Sequence, residues 1–180
     1  MVKIEKKYID FLKLHGAADI EHSGEDFLSH LKGTFNILVD WKLNDHVCLA
    51  GLFHSVYGTE VFETSLIPES LKPKVVSLIG NKAERLAYLF GIMDRNHFLE
   101  QLTSTNPSKL LNRQCIKPED ISLEDYVDLC HVYVANRLEQ HPRWPDEYRF
   151  CEFDHMKQME NHLSAAAWKD LSKEYQFKAS

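Results

Sequence analysis

Residues 30–54 read HLKGTFNILVDWKLNDHVCLAGLFH, and residues 81–102 read NKAERLAYLFGIMDRNHFLEQL. Both stretches repeat apolar residues at the three- and four-residue spacing of a buried helix face. Three side chains that can bind a metal ion, His30, His54 and Asp94, lie within these apolar patterns. Neutral imidazole and carboxylate are the groups that hold Zn, Mn or Fe(II) in proteins. The two stretches therefore predict a helical domain with a metal site between its helices.

The helical pattern also predicts where the two histidines lie. The apolar face of the first helix contains His30 together with Phe27, Leu31, Thr34, Phe35 and Leu38. His54 ends the next apolar run, and antiparallel helices joined by a short turn could bring the two imidazoles together. The small residues Ala50 and Gly51 would let these helices approach closely. A purely structural role stays open, because a buried histidine can be a hydrogen-bonded core residue and a basic neighbour could pair with Asp94.

The remaining sequence predicts an all-α fold of about six or seven helices in a single domain, 1–180. Ser122 followed by acidic residues has the pattern of a helix N-terminus. Residues 103–121 lack periodicity and predict a long polar connection. The motif-bearing core spans about residues 22–100. The other predicted helices are 2–15, 69–79, 122–140 and 154–175, the last two of which are expected to pack on this core.

The composition argues against several classes of protein. Hydrophobic residues at 44% and charged residues at 27% are ordinary for a globular chain, and ten histidines favour a metal site. A net charge of −6 without a Lys/Arg cluster argues against a nucleic-acid partner. The four cysteines form no CxxC pair, no run approaches the length of a membrane helix, and the N-terminus lacks an apolar signal segment. We therefore expect a cytoplasmic protein that acts on a small-molecule substrate without a membrane partner; its oligomeric state stays open.

The order of the predicted ligands resembles the HD-domain superfamily over about residues 25–100. Its members are all-helical, metal-dependent phosphohydrolases, with a branch of iron oxygenases of the myo-inositol oxygenase type. In the family pattern the first histidine matches His30, the histidine of the paired His-Asp motif matches His54, and the final aspartate matches Asp94. The segment MDRNH is similar to the final motif of the guanosine-tetraphosphate hydrolase branch. The resemblance implies a helical bundle that binds a divalent transition metal, Fe, Mn or Zn.

The chain departs from the family pattern at two places. Ser55 follows the second histidine where the family has aspartate, so one expected ligand is missing. The acidic pair of the guanosine-tetraphosphate hydrolase branch is replaced by Gly58 and Thr59, which argues against that particular activity. Glu60 or Glu63, two nearby acidic residues, could substitute for it.

Three functions stay open on these residues. The first is a divergent HD-type hydrolase acting on a small substrate such as a phosphorylated compound, which the superfamily favours. The second is a mononuclear Fe(II) oxygenase, which the set of two histidines and one carboxylate favours. The third is a non-catalytic binding or regulatory domain, which the missing ligand favours.

Five further residues are candidates for the site. His22, just before the first core helix, could project toward the metal as an additional ligand. Glu60 and Arg95 are the candidate catalytic residues. Lys82 and Arg85 are candidates for binding a substrate phosphate.

Overall fold

The structure is a computed structural model that describes residues 2–22, 25–104, 106–145, 148, 150 and 152–176, without the side chains of 21, 22 and 25. These residues are mostly helical, which confirms the predicted all-α class. They contain the α-helices α1 (Lys6–Leu14), α2 (Phe27–Asp40), α3 (Asp45–Phe53), α4 (Lys72–Ile79), α5 (Asn81–Ile92), α6 (Arg95–Glu100), α7 (Leu123–Gln140), α8 (Phe153–Gln158) and α9 (Ala165–Glu174). Short 3-10 turns lie at Glu69–Leu71, Gln101–Thr103, His141–Arg143 and Met159–His162. The described helices outnumber the expected six or seven because two predicted helices are each divided.

Helix α3 lies at the centre of the packing and contacts α2, α5 and α7. Every residue from Val47 to Phe53 is buried, as the apolar run predicts. A Cβ atom at Gly51 would collide with the side chain of Leu38, so the missing side chain lets α2 and α3 approach closely. The close antiparallel approach places the end of α3 beside the beginning of α2.

The predicted helix over residues 81–102 is divided at Met93 and Asp94. Met93 adopts an extended conformation and pairs with Asn112 in an isolated β-bridge. The side chain of Asp94 then accepts a hydrogen bond from the backbone N–H of His97 at 2.8 Å and caps α6. The apolar pattern continues through this point, and therefore does not reveal that the backbone changes direction.

The segment expected to be an irregular connection contains a β-hairpin. Strands β3 (Lys109–Asn112) and β4 (Lys117–Asp120) pair antiparallel, with Lys109 opposite Asp120. Leu110 is fully buried and anchors the hairpin on the helices. A second short hairpin, β1 (Glu21–His22) with β2 (Glu25–Asp26), precedes α2. The predicted long polar connection thus contains a pair of strands, and four residues in each strand are too few to reveal it as a visible alternation in the sequence.

Some of the residues that cap the helices are those that the sequence predicts. Ser122 and Asp125 form a reciprocal capping box at the start of α7, which confirms the predicted helix start. At α2 the cap is Asp26, whose carboxylate accepts from the backbone N–H of Ser29 at 3.0 Å. Ser23, which by residue type and its three-residue spacing to Asp26 is a candidate cap in the sequence, lies outside the described residues.

The predicted C-terminal helix 154–175 is divided at Ser164. The side chain of Ser164 accepts a hydrogen bond from the backbone N–H of Ala167 at 3.2 Å and begins α9. Helix α9 packs on α7, and Trp41 of the region after α2 donates to Asp170 at 2.8 Å. Among the described residues, no helix is both long and apolar enough to cross a membrane.

His131 on α7 supports the beginning of α9. Its Nδ1 lies 2.8 Å from the carbonyl oxygen of Val127, and its Nε2 lies 2.9 Å from the backbone nitrogen of Ser164. The carbonyl can only accept, so Nδ1 carries the proton and Nε2 accepts from Ser164, which requires a neutral imidazole. Burial lowers the pKa of His131, against weaker opposing effects of the Val127 hydrogen bond and the charge of Asp128.

We expect acid to weaken the fold through His131. Because its folded-state pKa is lowered, the unfolded chain takes up the proton first as the pH falls below about 6.5. The free energy of unfolding should therefore fall between that pH and the lower folded-state pKa. In urea unfolding at several pH values, His131→Gln should reduce this pH dependence, whereas His155→Gln on α8 should preserve it. An undiminished dependence in His131→Gln would contradict the prediction.

Candidate metal centre

His30 and His54 meet in the core. His30 lies on α2 and His54 directly follows α3, and both side chains are fully buried. Their Nε2 atoms are 3.1 Å apart, and the ring planes meet at 75°. Ring nitrogens at this distance share either a proton or a common ion.

The second ring nitrogen of each histidine contacts an acceptor. His54 Nδ1 lies 2.7 Å from the carbonyl oxygen of Gly51, and His30 Nδ1 contacts the carboxylate of Glu139. A carbonyl or an ionised carboxylate can only accept, so each Nδ1 carries a proton. In neutral imidazoles the two Nε2 lone pairs would then face each other. This arrangement is favourable only when a proton or a metal cation lies between them.

Glu139 on α7 is a buried carboxylate that supports this pair. Its second oxygen accepts from Arg143 Nη2 at 2.7 Å. Burial raises the pKa of Glu139, but the hydrogen bonds and charges of His30 and Arg143 outweigh burial and hold the pKa below its ordinary value. Gly33 on α2 makes room for the carboxylate arm, because a Cβ atom there would lie 2.6 Å from Glu139 Cγ. A carboxylate behind an imidazole is the usual arrangement for orienting a metal-binding histidine.

Helix α7 also brings a neutral oxygen to the pair. Asn136 Oδ1 lies 3.1 Å from His54 Nε2. Ser55 follows His54 in the chain and lines the same cavity as Asn136. Both side chains are buried, with 5% and 4% of their surface exposed for Asn136 and Ser55 respectively. The groups placed beside the imidazoles are thus an amide and a hydroxyl.

The imidazole geometry fits a transition-metal ion. With metal–nitrogen bonds of about 2.0–2.1 Å and angles of about 90–110°, two nitrogen ligands are about 2.8–3.4 Å apart. The observed 3.1 Å lies inside this range. Because each Nδ1 carries the proton, the lone pairs of both Nε2 atoms are available to bind a metal ion. The Asn136 oxygen could add a third ligand. The residues present therefore fit a divalent transition metal held mainly by nitrogen.

Asp94 does not complete this set. Its carboxylate caps α6 through the His97 hydrogen bond. In the described part of the chain, Asp94 does not form a three-residue group with His30 and His54 in which the ligand atoms lie within 4.8 Å of one another. The fold thus brings together two of the three expected ligands and places Asn136 beside them.

The candidate catalytic residues Glu60 and Arg95 contact each other through the backbone. The backbone N–H of Arg95 donates to the carboxylate of Glu60 at 2.9 Å. Glu60 is exposed, whereas the Arg95 side chain lines the cavity beside Asn136 and lies 5.8 Å from the ring centre of Tyr133. Arg95 is therefore positioned to meet a ligand, and Glu60 is already used at the start of α6.

The candidate phosphate-binding residues Lys82 and Arg85 lie on a different surface. Lys82 donates to Glu124 at 3.2 Å, and Arg85 donates to the carbonyl oxygen of Asp120 at 2.7 Å. The described residues that line the Asn136 cavity do not include either cation. The backbone of His22 lies in β1, but its side chain lies outside the described part of the chain.

A second group of potential ligands links α3 to α7. Ligand atoms of His46, Glu124 and Asp128 lie within 4.8 Å of one another, and His46 Nε2 is 3.0 Å from Asp128. Burial raises the pKa of Asp128, while the hydrogen bond and charge of His46 act in the opposite direction. Because Glu124 is paired with Lys82, we interpret this group as an ion-pair network.

A cavity of about 380 Å³ opens beside the histidine pair. Its described lining contains apolar and aromatic side chains together with two guanidinium groups and one carboxylate. These residues are Ser55, Thr59, Val61, Phe62, Arg95, Asn136, Arg137, Gln140, Trp144, Tyr148 and Glu152. Volume and lining are those of a small-molecule site.

Sequence reasoning missed the contribution of α7. The segment VYVANRLEQ places four polar residues after a fully apolar turn, and three of them, Asn136, Arg137 and Gln140, are almost completely buried. Buried polar groups in mid-helix usually have a partner or a function. This irregularity in the pattern was the available signal.

Comparisons with known proteins agree with the fold. The model of a domain of unknown function, DUF6817, matches residues 11–95. A solved structure, described as a metazoan ortholog of SpoT that hydrolyzes ppGpp and plays a role in starvation responses, aligns with a TM-score of 0.61. The alignment covers 98% of this chain and 97% of that chain at 15% identity. A comparison with curated proteins found no match. The chain thus has an HD-like helical fold.

Proposed function

We propose that the protein is a metal-dependent hydrolase of a small phosphorylated compound. The observation that carries the proposal is the buried pair of imidazole Nε2 atoms, 3.1 Å apart, next to a ligand-sized cavity. The ppGpp-hydrolysing activity stated for the structural neighbour supports the same class of reaction. The replacement of acidic residues by Gly58 and Thr59 argues for a different substrate.

The proposal gives each group a role. His30 and His54 would hold the ion, which when bound supplies water activation and neutralisation of phosphate charge. Glu139 orients His30 through Nδ1 and supplies a negative charge behind it. Arg95 lies where its guanidinium can bind phosphate oxygens in the cavity. The aromatic side chains of Phe62 and Trp144 offer apolar surface to the bound compound.

A non-catalytic binding domain is the second candidate, and the neutral side chains of Ser55 and Asn136 favour it. Carboxylate ligands add charge that strengthens divalent-metal binding, and an amide or hydroxyl does so less. An Fe(II) oxygenase would require a carboxylate ligand, and in the described part of the chain the ligand atoms of Asp94, His30 and His54 do not lie within 4.8 Å of one another.

The proposal is tested by elemental analysis and phosphate release on the full chain purified without a metal-binding tag. After reconstitution with Mn(II), Fe(II) or Zn(II), we expect about one equivalent of metal and phosphate release from a panel of phosphate esters that a chelator abolishes. His54→Ala should lose both. His162→Ala, at a histidine bonded to the Leu102 carbonyl, should lose neither, with circular dichroism verifying the fold of each variant.

Other outcomes select the alternatives. Bound iron with oxygen uptake and no phosphate release would favour the oxygenase. A protein that binds none of the three ions, and whose thermal stability a chelator leaves unchanged, would favour the binding domain.

A further inference from the structure

The cavity beside the histidine pair carries an unusual distribution of charge. Its described lining contains the cations Arg95 and Arg137 and the carboxylate of Glu152. Because one cation is matched by one anion, these residues leave one net positive charge. The charge that a ligand meets therefore depends on which guanidinium is already paired.

Arg137 is paired within the protein. Its Nη1 lies 2.8 Å from Glu152 Oε2, its Nε lies 3.3 Å from the Tyr175 hydroxyl, and its guanidinium lies 4.7 Å from the ring centre of Trp144. The hydroxyl of Tyr133 donates to the same Glu152 oxygen at 2.5 Å. The position on Arg137 that a ligand anion could occupy is thus taken by a carboxylate of the chain.

Arg95 differs from Arg137. In the part of the chain that the structure describes, no carboxylate lies within ion-pair distance of its side chain, although the side chain is only partly exposed. Its guanidinium lies 5.8 Å from the ring centre of Tyr133, and the hydrogen bond that Arg95 makes to Glu60 uses the backbone N–H, not the guanidinium. A guanidinium in this position binds phosphate through two parallel hydrogen bonds.

Part of the remaining lining is apolar or aromatic. It consists of Phe62, Trp144, Val61 and Tyr148, and the side chains of Val61 and Tyr148 are exposed. A cavity of about 380 Å³ is near the lower end of ligand-site volumes, about 300–1,000 Å³. The space therefore suits a small aromatic compound with an anionic substituent.

Resting on the proposed function, we propose that the substrate class is an aromatic compound with a single phosphate, anchored by Arg95. Glu152 selects against a second phosphate, because it occupies Arg137 and repels an additional negative group. Specificity for a monophosphate thus arises from the carboxylate of Glu152 inside the cavity, and not from the volume of the cavity alone.

The test is calorimetric titration of the full chain with 2-naphthyl phosphate, AMP, ADP, ATP and adenosine, both in EDTA and with Mn(II). We expect the two monophosphates to bind more tightly than ADP and ATP, and adenosine to bind more weakly than AMP. Arg95→Gln should weaken AMP binding about 10- to 100-fold, the loss expected for charged hydrogen bonds. Glu152→Gln should strengthen ADP binding and remove the preference for AMP. Arg113→Gln, whose side chain donates to the Gly91 carbonyl, is the control and should bind AMP as the native chain does.

The binding test is independent of hydrolysis. Three outcomes would each overturn the assignment. They are tighter binding of ADP than of AMP, an AMP affinity of Arg95→Gln equal to that of the native chain, and binding of none of the probes. Selective binding of monophosphates without phosphate release would uphold the cavity's specificity while contradicting the hydrolase. Thermal unfolding of Glu152→Gln, measured in parallel, shows whether the change in selectivity occurs in a folded protein.

Discussion

Replacing Ser55 and Asn136 by aspartate together is expected to increase the affinity for Mn(II) by at least about tenfold for each added carboxylate. Asn136 Oδ1 already lies 3.1 Å from His54 Nε2. Ser55, the residue that follows His54, is buried. A carboxylate at either position would add negative charge next to the two imidazole nitrogens that would bind the metal. The measurement is a competition titration of Mn(II) against a metal-binding dye.

The same double substitution should make stability depend on metal. Two carboxylates buried without a cation should destabilise the metal-free protein by about 2–4 kcal/mol. Bound metal should recover this loss, because a ligand that binds only the folded state stabilises it. Asn96→Asp, which adds one negative charge at an exposed position of α6, is the control and should alter neither property. Unchanged Mn(II) affinity in the double variant would mean that positions 55 and 136 do not face a common point.

Replacing Glu139 by glutamine is expected to weaken metal binding about 10- to 100-fold, the range observed when a group behind a metal ligand is removed. Glutamine preserves the size of the side chain but loses the charge that fixes Nδ1–H on His30 and pairs with Arg143. Nitrogen-15 NMR of the imidazoles should show His30 as the Nδ1–H tautomer in the metal-free native chain. In the variant this preference should be reduced.

The control for Glu139→Gln is Glu174→Gln. Glu174 accepts from His141 Nδ1 at 2.7 Å, so this variant breaks a second Glu–His pair. It should leave the metal affinity unchanged. A native metal affinity in Glu139→Gln would contradict the role assigned to Glu139. Equal losses of metal affinity in both variants would indicate a general effect on the fold.

The helical fold could be predicted because its signals are local. Apolar periodicity gave α2, α3, α5 and α7, and the side-chain hydroxyl of Ser122 marked the beginning of α7. The meeting of His30 and His54 also followed from sequence, since two antiparallel helices with a short turn leave few arrangements. The break at Asp94 did not follow, because Met93 leaves the helix to pair with Asn112, a residue distant in sequence.

The identity of the third group at the site depended on contacts that local pattern does not contain. Asp94 was the natural ligand by residue type and order, yet in the described residues it does not form a group of close ligand atoms with the two histidines, and one of its oxygens caps α6. Asn136 is a weaker candidate by chemistry, but α7 packs against both α2 and α3 and carries it to His54. Lys82 and Arg85 lie elsewhere because the helix face that they share is turned toward acidic residues of the β3–β4 hairpin and α7.

The sequence by itself determined the main helices apart from their breaks, the burial of both histidines and their approach, because each depends on side chains close together in the chain or on one short connection. Only the tertiary structure decided which residues surround the histidines and what charge the cavity carries. Glu139 reaches His30 across 109 residues, and Glu152 pairs with Arg137 from outside α7. Such pairings depend on how separate helices pack, and the free energy of packing is not encoded in the periodicity of any one of them.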